Sequence, residues 1–172
     1  TSRKVVDLWR NEEAVLLADP DIDFGLYDND GPDQVPNSGD DDGYVDIIFL
    51  VAPTMGAECD FFSAHFYSHS GCYSSLWSGD GEPLETSDPS AGGGYILVDD
   101  YVVTPSISCD PFGGGLQSPA SNAQTVSNAD TMIEIGVFCH ELAHALGLPD
   151  LYDTDLSKGI GYWGLMGFGY LS

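Results

Sequence analysis

Apolar positions recur along this chain with two different periods. Between Val5 and Leu17, the residues Val5, Leu8, Trp9, Val15 and Leu16 fall near one face of a helix, with Arg10, Asn11, Glu12 and Glu13 between them. That spacing predicts an amphipathic helix. From Tyr44 to Ala52 the chain alternates and then turns solidly apolar before Pro53, which predicts a buried strand closed by the proline. Tyr95–Val98 and Tyr101–Thr104 are strand-like, with Asp99 and Asp100 between them and Pro105 ending the second. Residues 54–94 are rich in Gly, Ser and aromatics and read as loops with one short strand at most. The clearest helix is 132–146: Thr131 and Glu134 make a capping box, Gly147 supplies a left-handed stop, and Pro149 blocks continuation. Strands, then a long helix, then irregular chain to Ser172 predict an α+β fold, a mixed sheet backed by helices.

Length adds that the 172 residues bound the chain to one domain, or at most one with an appendage. Charge excludes more. The 28 acidic side chains face only 4 basic ones, a formal charge of −24. Phosphate backbones and anionic lipid both need clustered Lys and Arg, so neither nucleic acid nor a membrane surface is an expected partner. No apolar run is long enough to span a bilayer. A carboxylate excess of this size suits divalent cations, or equally a surface that stays solvated in salt. The four cysteines, Cys59, Cys72, Cys109 and Cys139, include no C-x-x-C pair. Disulfides in a secreted protein are therefore expected over a thiolate zinc site. Position along the chain favours pairing Cys59 with Cys72 and Cys109 with Cys139. No G-x-S-x-G occurs, which leaves a serine nucleophile without support.

The helix at 132–146 carries His140-Glu141-Leu142-Ala143-His144. Positions i and i+4 share a helical face, so both imidazoles can meet one zinc ion, and Glu141 can reach a water on it without ligating it. Gly147 and Asp150 extend the pattern to H-E-x-x-H-x-x-G-x-x-D: the glycine turns the chain, and the aspartate returns as an oxygen ligand. Three protein ligands and one open position mark a catalytic zinc site. Met166, set among Gly and aromatic residues from Trp163 to Gly169, can form an apolar floor beneath it.

On these residues the chain resembles the metzincin clan of zinc endopeptidases, and within it the immune inhibitor A family of secreted proteases. The resemblance runs through Ile135 to Asp153, Ile22 to Gly31, the strand from Tyr44, and Trp163 to Gly169. It implies a metzincin-like catalytic domain with a twisted mixed sheet, a long zinc-binding helix and an irregular C-terminal part with a Met-turn. It also implies His140, His144 and Asp150 as zinc ligands, Asp153 as the rival third ligand, Glu141 as general base and Met166 as the turn methionine. Where several metzincins have Tyr two residues after that Met, this chain has Phe168, which leaves Tyr170 without a clear role as oxyanion donor.

The segment 19–46 holds ten Asp. With 32–41 set aside as an insertion, Asp28, Asp30, Asp42 and Asp46 take the alternating order of a calcium loop with Gly31 or Gly43 at the turn, a joining the resemblance supports. The other reading of the tract is a solvated, self-repelling loop. His65 and His69 also stand four apart, as a second zinc pair or as packing.

The sequence thus predicts a secreted endopeptidase in which a zinc-bound water attacks the peptide bond with Glu141 as base. Its substrate strand would lie along an edge within Tyr95–Thr104. The rival is a calcium-stabilised, non-catalytic surface or assembly module. The start at Thr1 rather than Met and the small strand count favour a functional molecule containing further polypeptide, from the same precursor or another chain.

Overall fold

A computed structural model describes residues 3–57, 66–75, 81–108, 132–133, 135–152 and 159–167, with 3–10 and Tyr162 described in backbone only. Helix α1 spans Arg3–Ala18 and α2 spans Ile135–Ala145. The strands are β1 (Ile48–Met55), β2 (His69–Cys72), β3 (Leu84–Pro89), β4 (Tyr95–Val98) and β5 (Asp100–Ile107). Three of them form a sheet in the order β1-β5-β2, and β3 pairs with β4 in a second. This is the small mixed α+β arrangement that the patterning predicts. Among the described residues, no helix is long and apolar enough to cross a membrane.

Both prolines expected to end strands lie inside them. β1 runs through Pro53 to Met55, and β5 through Pro105 to Ile107. Proline removes one ladder donor, which is harmless where no neighbour needs it. β1 is an edge strand in the stated order, and β2, with four residues, is too short to flank all eight of β5. The edge position also corrects the expected burial of β1. Its residues alternate between half-buried and exposed, with Phe49 and Val51 among the exposed ones. Tyr44, expected to begin that strand, instead makes an isolated parallel bridge to Leu97.

The chain divides into two compact units, 1–50 with 71–102 and 51–70 with 103–172. In the first, β3 and β4 are antiparallel, with Leu84 opposite Val98 and Pro89 opposite Tyr95. Gly43 and Val45 bond to Leu97 through their backbones. Val15, on the predicted apolar stripe of α1, is buried, as are Phe24, Val45, Ile96, Val98, Tyr101 and Val102. Leu16 is exposed, which narrows the stripe. The Val5, Leu8 and Trp9 side chains lie outside the described residues. The Asp19 carboxylate accepts from Ser87 N–H at 3.0 Å, and Asp88 accepts from Phe24 N–H at 2.7 Å. These bonds tie the end of α1 and the start of the acidic tract to β3.

In the second unit, Ala57, Val103, Val137, Ala143 and Met166 are buried. Helix α2 begins three residues later than expected, at Ile135. Thr131 and Glu134, its expected capping box, lie outside the described residues.

Candidate metal centre

Helix α2 ends as its sequence prescribes. Gly147 sits at φ +86°, its N–H bonds the carbonyl of His144 at 2.8 Å, and Leu148 N–H bonds Ala143 at 2.9 Å. That pair of bonds is the Schellman stop, which needs a left-handed residue after the helix. A Cβ built at Gly147 would meet nothing within 4 Å, so alanine there strains only the backbone. Gly147→Ala is expected to cost about 1–2 kcal/mol, read as a lower urea midpoint with an unchanged slope.

The stop turns the chain so that Asp150 comes back to the helix. His140 and His144 share a face, with ring centroids 4.6 Å apart. Their Nε2 atoms lie 3.1 Å from each other, and each lies 3.2 Å from Asp150 Oδ1. The tautomers follow from the acceptors. His140 Nδ1 donates to the Leu165 carbonyl at 2.9 Å and His144 Nδ1 to the Leu148 carbonyl at 2.8 Å. A carbonyl only accepts, so in the neutral rings each Nε2 holds a lone pair. Two nitrogen lone pairs and a carboxylate oxygen therefore converge with no hydrogen among them. A cation relieves that repulsion. Ligands in a tetrahedral array at zinc's ~2.0–2.1 Å bond lengths sit about 3.3 Å apart, close to the separations found. The donor set fits a divalent metal of that size. Carbonyls bonded to the second ring nitrogen are also the usual means of aiming a ligating histidine.

His140 is 2% and Glu141 6% exposed. Both line a cavity of about 480 Å³ together with His144, Asp150, Tyr152 and the segment Tyr67–Ser70. Met166 is buried beside a turn closed by Gly167 N–H to the Gly164 carbonyl at 3.0 Å. Its own carbonyl accepts from Leu151 N–H at 2.7 Å, while its neighbour Leu165 holds His140. Two consecutive carbonyls thus fix His140 and the residue after Asp150. Sequence reasoning placed the methionine but missed this backbone role, because any residue supplies a carbonyl. Asp153, His65, Phe168 and Tyr170 lie outside the described residues.

The acidic tract makes a second cluster, in the first unit. Carboxylate oxygens of Asp28, Asp30 and Asp41 lie within 4.8 Å of one another. The expected set was Asp28, Asp30, Asp42 and Asp46. The structure groups Asp41 with the first two, and Asp42 and Asp46 line a separate cavity of about 390 Å³ with Asp30, Asp99 and Asp100. Local hydrogen bonding explains the exchange. Asp41 folds back to accept from Gly31 and Ser38 N–H, each at 2.7 Å, whereas Asp42 caps its own turn at Tyr44 N–H. Residues 32–41 are folded in rather than looped out: Asn37 N–H bonds the Asp28 carbonyl at 2.7 Å, and its side chain bonds Pro89 and Ala91.

Asp28 is 1% exposed and its Oδ1 has no hydrogen-bond partner. Burial first, then the charges of Asp41, Asp42 and Asp30, push its carboxyl up to about 6. The folded chain therefore holds this proton more tightly than the unfolded one, whose carboxyl titrates near 3.8. The stability it contributes is complete below about 3.8 and is lost as pH rises through about 6. In chelator, the melting temperature is expected to rise as pH falls from 7 to 5. Asp28→Asn should flatten that rise.

Of the cysteines, Cys139 is a thiol, and Cys72 forms no disulfide. Cys59 and Cys109, their expected partners, lie outside the described residues.

Residues 112–172 match the model of a protein family described as the immune inhibitor A peptidase M6 catalytic domain. No curated protein sequence matches the chain. The match bears out the resemblance to immune inhibitor A peptidases and supports a metallopeptidase function. It includes helix α2, Asp150 and Met166.

Proposed function

We propose that this chain is the catalytic part of a secreted, zinc-dependent endopeptidase. The observation that carries the reading is the triangle of His140, His144 and Asp150 beside buried Glu141 in one cavity. A zinc ion held there would act as a Lewis acid toward the scissile carbonyl and toward water. Glu141 takes a proton from the attacking water and returns it to the leaving amine nitrogen. His140 and His144 keep their tautomers through the Leu165 and Leu148 carbonyls, and Met166 floors the site as a Met-turn. Secretion is supported by the acidic, cysteine-bearing composition.

The peptide's course differs from the edge first expected. β5 is the central strand, and β4 has β3 on one side and Gly43–Val45 on the other. The two strands within Tyr95–Thr104 therefore each have a neighbour on both sides. The segment Tyr67–Ser70, at the start of edge strand β2, lines the metal cavity, and a substrate strand lies along it.

Calcium at Asp28, Asp30 and Asp41 is part of this proposal, as a structural ion that compensates the buried Asp28 oxygen. The non-catalytic module has no comparable support, since it leaves Glu141 without a role. The deciding test is cleavage of an unfolded casein-like protein. Activity that a chelator removes and zinc restores supports the endopeptidase; chelator-resistant or absent cleavage by zinc-loaded protein overturns it.

A further inference from the structure

Of the three converging residues, Asp150 has the least to hold it. His140 and His144 stand on α2, and each ring is aimed by a backbone carbonyl. Asp150 lies in the loop beyond the helix. Among the described residues, its side chain has polar contacts with the two imidazoles alone. What sets its position is the backbone that follows it.

Leu151, the next residue, is held from two sides by the segment 159–167. Its N–H donates to the Met166 carbonyl at 2.7 Å, and its carbonyl accepts from Ile160 N–H at 3.1 Å. Gly159 closes the contact by proximity. A Cβ built there would lie 2.7 Å from the Leu151 carbonyl carbon, 2.8 Å from Tyr152 Cα, and nearer still to the Leu151 carbonyl oxygen. All three are backbone atoms, so no change of rotamer relieves the overlap. Gly159 also sits at φ +53°, a left-handed conformation that is costly for any residue with a Cβ. Space and backbone both demand glycine here. The same segment carries Leu165, whose carbonyl holds His140. A stretch that supplies none of the converging atoms is therefore tied to two of the residues that do.

We propose that Gly159 is a positioning residue for the metal: its bare Cα lets the segment 159–167 close on Leu151, and that contact holds Asp150 within reach of the ion. The inference rests on the zinc reading of the triangle and adds to it the residue that places the third ligand. A side chain at 159 pushes Leu151 away, and Asp150, one peptide bond earlier, moves with it.

The test compares Gly159→Ala with Gly161→Ala. Gly161 lies on the same segment at φ +61°, but a Cβ there would meet nothing within 4 Å. Alanine at 161 carries the backbone strain without the collision. Zinc affinity, by competition with a chromophoric chelator, is expected to fall about 10–100-fold in Gly159→Ala and to keep its wild-type value in Gly161→Ala. The d–d absorption of cobalt-loaded protein, which reports the arrangement of the ligands, should change in the first variant only. Wild-type zinc affinity in folded Gly159→Ala would overturn the proposal, and so would an equal loss in both variants. Should Gly159→Ala fail to fold, Ile160→Pro takes its place. The φ of −77° at Ile160 suits proline, and the change removes the N–H that bonds Leu151 while leaving Gly159 as it is. A loss of zinc affinity is expected there too, and an undiminished affinity would overturn the proposal. A wild-type protein that takes up no zinc would overturn the zinc reading and this inference with it, a failure visible before any variant is made.

Discussion

Glu141→Ala is expected to lower peptide-bond hydrolysis by about 10²–10⁴-fold while leaving the bound metal in place. Glu141 lies on α2 between the two histidines and is 6% exposed. It borders the same cavity as they do but is not one of the three converging donors. Its carboxylate therefore lies outside the donor triangle, as the proposed mechanism requires of the proton carrier. In the proposed mechanism, removing it takes away the base that accepts the water proton and the acid that protonates the leaving nitrogen. Zinc content, by plasma emission or a chromophoric chelator, should match wild type. A variant that keeps zinc and cleaves at the wild-type rate would show that another group moves the proton.

Asp150→Ala is expected to weaken zinc binding by more than about 100-fold, beyond the 10–100-fold that loss of a mere supporting residue costs. Its Oδ1 is equidistant from both Nε2 atoms, at 3.2 Å. Without it, two imidazoles remain, too few for a catalytic zinc. Activity should fall with metal content and recover partly in excess zinc. Asp153→Ala, the rival ligand, should bind zinc as wild type does. A reversed result, with Asp150→Ala holding zinc and Asp153→Ala losing it, would move the third ligand along the loop. Dialysis against competing chelators gives both affinities.

The two clusters differ in how far the chain alone revealed them. In the first cluster the three converging residues are close in sequence, and each spacing has one local geometric consequence. His140 and His144 share a helix face because helices repeat every 3.6 residues. Asp150 returns because Gly147 permits a Schellman stop. Such local rules survive whatever packs around them. In the acidic tract the same kind of reading chose Asp42 and Asp46, where the structure chose Asp41. Three consecutive aspartates point in different directions according to turn bonds made with Gly31, Ser38 and Tyr44. No periodicity ranks those bonds in advance.

The strands divide along similar lines. β4 matches its expected bounds, Tyr95–Val98, because four apolar residues between a glycine run and an acidic pair leave little choice. The prolines misled because their cost depends on which neighbour lacks a bond to make, and that is a property of the sheet. The exposure of Phe49 and Val51 has the same origin.

The sequence by itself determined the two helices, the histidine pair with its adjacent glutamate, the stop that returns Asp150, and the strongly acidic character of the chain. Each follows from spacing or composition over a few residues. Only the tertiary structure decided that Leu165 and Leu148 carbonyls aim the imidazoles, that β2 rather than β4 or β5 borders the cavity, that Asp41 joins Asp28, and that His69 stands in the same cavity. Those are contacts between residues distant in the chain or between interchangeable backbone groups, and packing, not local propensity, selects them.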